Sequence, residues 1–170
     1  MELRSLKLRT MDVDTFAQGI ANEITASFCR VPMYCFHGQP EHDKTFVVDA
    51  IAGKLGTSWE LIEINEKGEF GRLMKILRGP HEEYSQKIFI IHWKYEKDEY
   101  WRNIKYEQLW NSLYELHESQ VLAVVLTFNY TPESTFKFQK GGEAETIFRK
   151  QFMIHDVSKE ILFPVVSEQQ

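Results

Sequence analysis

The stretch CFHGQPEHDKTFVVDAIAGKLG, residues 35–56, runs from an apolar segment through a short polar loop into an amphipathic helix, and its reading decides the fold. Upstream, MYCF (33–36) has the short, aromatic and apolar make-up of a strand buried on both faces. Downstream, KTFVVDAIAGKLG sets Phe46, Val47, Ala50, Ile51 and Leu55 near one helical face. It stops at Gly56, a residue type that accepts the left-handed conformation in which helices often end.

Working outward, four more runs read as buried strands: ELIEI (60–64), KIFIIHW (87–93), VLAVVLTF (121–128) and QFMIHDV (151–157). Helix-like segments lie between them. FGRLMKILRG carries Leu73, Ile76 and Leu77 on one side and Arg72, Lys75 and Arg78 around the other, IKYEQLWNSLYELHES repeats Leu109, Leu113 and Leu116, and EAETIFRK is a shorter helix. At the front, DVDTFAQGIANEITASF opens with Asp12 or Asp14 as a cap. Strands alternating with helices require right-handed crossovers, so the expected fold is a three-layer α/β/α sandwich with a mainly parallel five-stranded sheet. The expected organisation is one domain over 1–170, with an N-terminal helical segment (1–29), a core (30–157) and a C-terminal tail (158–170).

A chain of 170 residues with 43% hydrophobic and 14% aromatic content can bury one good core. Its formal charge of -5 counts against a surface that grips nucleic acid all round. Cys29 and Cys35 form no C-x-x-C pair, and histidines 37, 42, 81, 92, 117 and 155 show no H-E-x-x-H spacing, so no metal is expected. G-x-S-x-G is missing. No apolar run approaches a signal-peptide core or a membrane span, which leads to the expectation of an intracellular protein, cytoplasmic or nuclear, with no membrane partner.

The 38–45 loop lies where a phosphate loop, G-x-x-x-x-G-K-[ST], would lie: after a strand, with backbone N–H groups and a helix N-terminus to surround the anion. Gly38 holds the first glycine position, Lys44 the lysine and Thr45 the hydroxyl for magnesium. The second glycine position is Asp43, and Glu41 adds another carboxylate. Both repel a polyanion, and Asp43 lacks glycine's backbone freedom. Hydrolysis also needs an acid at the end of a neighbouring strand to hold magnesium. KIFIIHWKYE ends there in His92 and Trp93, and the first acid is Glu96.

With these segments in view, the chain resembles the ATPase domain of P-loop NTPases of the AAA+ kind, and more closely the superfamily-three helicase domain of viral replication initiator (Rep) proteins. HGQPEHDKTF looks like the Walker A loop, KIFIIHW stands at Walker B, and VVLTFNYTPE is similar to the strand that ends in a polar sensor, here Asn129 with Pro132 after it. IFRKQFMIH resembles the arginine-bearing segment before the fifth strand, making Arg149 the candidate finger toward a neighbouring subunit. The resemblance covers roughly 30–157. It implies nucleotide contacts from Gly38, Lys44 and Thr45 and catalytic candidates in Asn129, Arg149 and Glu96. Departures at Glu41, Asp43, His92 and Trp93 oppose catalysis.

HWKYEKDEYWRNIKYEQLW interleaves aromatics with cations, and Trp93, Lys94, Tyr100, Trp101, Arg102 and Lys105 form a candidate surface for nucleic acid or a protein partner. The bland alternative is a solvated loop, rich in Glu96, Asp98 and Glu99, whose aromatics complete the core. The leading expectation is a catalytically impaired P-loop domain acting as a binding or regulatory protein, with no cofactor and with viral replication or host interaction as its setting. Two alternatives stand beside it: an active ATPase or helicase subunit using ATP and magnesium in a ring, and a single-strand nucleic-acid binder.

Overall fold

A computed structural model describes residues 11–27, 30–64, 67–78, 86–93, 106–116, 121–132 and 142–164. In chain order these form β1 (Met11–Asp12), α1 (Val13–Thr25), β2 (Met33–Gly38), α2 (Lys44–Leu55), β3 (Trp59–Ile64), α3 (Lys67–Arg78) and β4 (Ile88–Trp93). There follow α4 (Tyr106–Tyr114), β5 (Ala123–Asn129), α5 (Glu143–Gln151), β6 (Met153–Asp156), a single turn α6 (Val157–Glu160) and β7 (Ile161–Leu162).

Strands β2 to β6 make one parallel sheet in the order β3-β4-β5-β2-β6. Because β5 is inserted between β2 and β4, Gly38 at the end of β2 is paired with Asn129 at the end of β5, while His92 on β4 lies one strand further out, beside Thr127. A parallel sheet buries both faces, and successive residues of a strand belong to opposite ones. On one face Cys35, Ile62, Ile64, Phe89, Ile91, Trp93, Leu126 and Phe128 pack with Leu73 and Leu77 of α3, Leu109, Trp110 and Leu113 of α4 and Phe148 of α5. On the other, Tyr34, Phe36, Ile88, Ile90 and Val125 pack with Phe16 and Ile20 of α1 and Val47 and Ile51 of α2. The result is the three-layer α/β/α arrangement expected from the alternation of elements.

Local signals explain the helix ends. Asp12 caps α1 by accepting from the Thr15 amide at 2.7 Å, one of the two caps anticipated. Gly56 closes α2 in the left-handed region with φ 68°. The buried face of α2 differs from the expected one: Val48 and Ala52 join Val47 and Ile51 inside, whereas Phe46 is 44% exposed. The helix is wedged between the sheet and α1, which widens its buried face and removes the one-sided pattern.

Residues 158–164, read above as part of a tail, are built into the fold. The turn α6 is capped by Asp156, and β7 pairs in parallel with β1 as a second sheet, Met11 beside Ile161 and Asp12 beside Leu162. This short pairing ties both ends of the described chain together at the α1 and α2 face. Among the described residues no helix is long and apolar enough to cross a membrane.

Two glycines in and after α2 should respond oppositely to alanine. A Cβ meets nothing within 4 Å at either Gly53 or Gly56, so only backbone energetics operate. We expect Gly53→Ala to stabilise by up to about 1 kcal/mol through better helix propensity, and Gly56→Ala to cost about 1 to 2 kcal/mol through the positive φ. Urea unfolding midpoints of the two variants check both signs.

Candidate functional site

The parity of the strands decides what reaches the loop. Leu61 and Glu63 on β3, His92 on β4 and Asn129 on β5 lie on the α2 face and line an open cleft of about 330 Å³ with Lys44 and Thr45. The loop residues Pro40, His42 and Asp43 close its near side. Glu63, His92 and Thr127 occupy one rung of the sheet, and Nδ1 of His92 is 2.7 Å from Oγ1 of Thr127. Trp93, one residue on, belongs to the opposite face and is 1% exposed in the other core.

At the mouth of α2 the helix is closed by its own sequence. The Asp43 carboxylate accepts from the amides of Thr45 (3.0 Å) and Phe46 (3.2 Å), as an N-cap residue does. Those donors, together with the helix dipole, are what would otherwise attract an external anion. Lys44 is 4% exposed. Its ammonium donates to the Gln39 carbonyl at 2.7 Å and to Oδ1 of Asn129 at 2.8 Å, bridging loop and β5. Burial drives the Lys44 pKa down to about 8, opposed by the nearby carboxylates of Asp43, Glu41 and Asp156.

The rest of the loop is held by α6 and the segment after it. Oγ of Ser158 accepts from the Gln39 amide at 2.7 Å and is hydrogen-bonded to Nδ1 of His42 at 2.7 Å. The His42 ring in turn stacks on Phe163, with centroids 4.6 Å apart and planes 4° from parallel. Gly38 has φ 155°, and a Cβ there would stand 2.4 Å from Ser158 Oγ. Close approach by Ser158 is therefore a sufficient reason for glycine at 38. On the other side the Tyr130 amide donates to the Gly38 carbonyl at 2.7 Å, and His37 Nδ1–H donates to the Tyr130 carbonyl at 2.6 Å. These two bonds hold Tyr130 at φ 68°, a conformation uncommon for a residue with a side chain.

Gly38, Lys44, Thr45 and Asn129 thus converge at one end of the sheet, as their motif positions require. Arg149 does not join them: it sits on α5, whose Phe148 packs in the opposite layer, and it is paired with Glu145 at 3.2 Å. Glu96, Lys94, Tyr100, Trp101, Arg102 and Lys105 lie outside the described residues. Trp93 leaves the candidate partner surface because it is a core residue, and so is Trp110 at the far end of that segment. Sequence reasoning missed Glu63, Ser158 and Phe163. Glu63 was legible in principle, since alternation in WELIEI puts it on the same face as Leu61; Ser158 and Phe163 carry no local signal. Among the described residues no group of three or more His, Cys, Asp or Glu is arranged to hold a metal ion.

No family model matches the chain, and no curated protein matches it. The solved structures similar to it at low identity include these two. One is a DNA polymerase III gamma subunit-related protein from Thermotoga maritima, 12% identical with a TM-score of 0.45, the match covering 89% of this chain and 46% of that one. The other is Rif2 in complex with the C-terminal domain of Rap1, 13% identical with a TM-score of 0.40, covering 98% of this chain and 60% of that one. This chain therefore spans about half of the first and three-fifths of the second.

Gly38→Ala should destabilise by roughly 2 kcal/mol or more, combining a strained φ with the Ser158 clash. Adding Ser158→Gly should restore the steric part alone, a non-additivity that a double-mutant cycle reads directly. Lys44 makes a separate prediction. Its pKa is about 8 in the folded protein against the ordinary lysine value of 10.5, so between those values the unfolded chain binds more protons and stability rises with pH. The burial penalty is present in full below pH 8. Tyr34, whose pKa burial and Glu23 raise, acts in the opposite sense only above about pH 10. We expect the stability of the wild type relative to Lys44→Met to increase from pH 7 to pH 9.5 in urea titrations; an unchanged or falling difference would contradict the burial argument.

Proposed function

We propose that this chain is a P-loop-type domain, of the AAA+ and Rep-helicase lineage its motifs resemble, that works as a non-hydrolysing binding or regulatory protein. The observation that carries this reading is the Asp43 carboxylate on the Thr45 and Phe46 amides. An internal anion already holds the donors a phosphate would take, and it repels any phosphate that comes to compete.

Three further features support it. Glu41 stands on the same loop, and Lys44, the cation a polyphosphate would need, already donates to Gln39 and Asn129. Strand β4 presents His92 to the cleft beside Thr45, where magnesium-dependent hydrolysis calls for a carboxylate. Gly38 serves the approach of Ser158. The loop in this reading is a structural junction between β2, β5 and the segment after β6.

The test is titration of a fluorescent ATP analogue, with and without magnesium, into the wild type and Lys44→Ala. We expect no saturable binding to either protein at millimolar nucleotide. Saturable, magnesium-dependent binding that disappears in Lys44→Ala would overturn the proposal and restore the ATPase reading.

A further inference from the structure

We propose that Lys44 is a nucleophilic amine and that the cleft on the α2 face takes a small uncharged aldehyde, held as an imine on the Lys44 nitrogen. This goes beyond the non-hydrolysing reading above by adding a covalent binding site.

The setting of the amine carries the inference. Lys44 is 4% exposed, yet among the described residues no carboxylate oxygen lies within ion-pair distance of it. A buried ammonium is ordinarily paired, because an unpaired charge taken out of water carries a large desolvation cost. Here both contacts of Nζ are to uncharged oxygens, the Gln39 carbonyl at 2.7 Å and Asn129 Oδ1 at 2.8 Å. A neutral amine has two hydrogens to donate and a lone pair left over, so two acceptors satisfy it; the third hydrogen of an ammonium has no acceptor among the described residues. The pKa of about 8 agrees with this geometry: burial lowers it, and the carboxylates of Asp43, Glu41 and Asp156, beyond ion-pair distance, do not restore the ordinary 10.5. About one molecule in ten then carries the neutral amine at pH 7, against fewer than roughly one in a thousand for an exposed lysine.

The cleft selects the ligand. Its volume of about 330 Å³ suits a small molecule, and Lys44 forms part of its wall while being 4% exposed, so whatever reaches the nitrogen is compact. Thr45, Asn129 and His92 offer a hydroxyl, an amide and an imidazole to a polar ligand. Asp43 and Glu63 line the same space and repel a carbonyl compound that bears its own carboxylate or phosphate. A short hydroxyaldehyde meets these conditions. The Nζ lone pair attacks the carbonyl carbon, the two amine hydrogens leave with the carbonyl oxygen as water, and a C=N bond replaces C=O, with no oxidant or reductant consumed. His92 and Glu63 are the groups on the cleft wall able to carry those protons. Asn129 can serve both states, because its amide offers oxygen to the amine and, turned over, an N–H to the imine nitrogen.

The experiment treats the full chain with limiting glycolaldehyde and sodium cyanoborohydride, which reduces an imine to a stable amine, and locates the labelled lysines by peptide mass spectrometry. At pH 7 Lys44 should be labelled about tenfold faster than exposed lysines, or more, because of its larger neutral fraction. Asn129→Asp keeps the side-chain size and the acceptor but sets a carboxylate against Nζ. It should slow labelling of Lys44 about tenfold by holding the ammonium and leave exposed lysines unchanged. Glyoxylate, an aldehyde of similar size that carries a carboxylate, should show a smaller preference for Lys44. Circular dichroism and thermal midpoints establish that the variant is folded, and the wild-type comparison stands without it. Labelling of Lys44 no faster than that of exposed lysines, an unchanged rate in folded Asn129→Asp, or an equal preference with glyoxylate would overturn the inference. The ATP titration separates the two levels. If nucleotide does not bind and Lys44 is not preferentially labelled, the aldehyde site is wrong and the non-hydrolysing reading stands; if nucleotide binds through Lys44, that reading itself has failed.

Discussion

The carboxylate of Asp43 at the N-terminus of α2 is the interaction on which the candidate site depends. Its two amide hydrogen bonds do for this helix what any good cap does, satisfying donors that the first turn cannot pair internally. In a loop between the first core strand and its helix, that ordinary act has an electrostatic consequence. The positive end of the helix meets an internal carboxylate, and in the proposed reading the loop is a closed junction rather than an anion receptor.

Other contacts fix the loop in place. The Lys44 ammonium donates to the Gln39 carbonyl and to Asn129 and stitches the loop to β5. Ser158 takes the Gln39 amide, and its approach is what glycine at 38 permits. The small β1–β7 sheet holds the segment that carries Ser158 and Phe163 over the loop. Beside the junction lies the cleft, where Glu63 and His92 from neighbouring strands face the first turn of α2.

The same residues show how far local pattern can go. In KIFIIHW, hydrophobicity announces a buried strand, yet which of His92 and Trp93 faces the loop depends on which residues of β4 face α2. The helix is on the side of Ile88 and Ile90, so His92 enters the cleft and Trp93 fills the opposite core. The aromatic segment that begins with Trp93 and ends with Trp110 thus contributes both of those rings to packing rather than to an outer surface. In α2, Phe46 lost its expected burial for a comparable reason: the position of α1 chose Val48 and Ala52 instead.

What the sequence by itself determined was the alternation of apolar strands with capped, amphipathic helices, and with it the parallel α/β/α architecture, because periodicity and capping are local properties of the chain. Gly38, Lys44, Thr45 and Asn129 were also legible as one end of that sheet, since the loop must follow its strand. Only the tertiary structure decided that Ser158, 119 residues from Gln39, completes the loop, and that Glu63 stands beside His92. Strand order and the return path of the chain bring such residues together, and both arise from packing between elements that no local run of residues specifies.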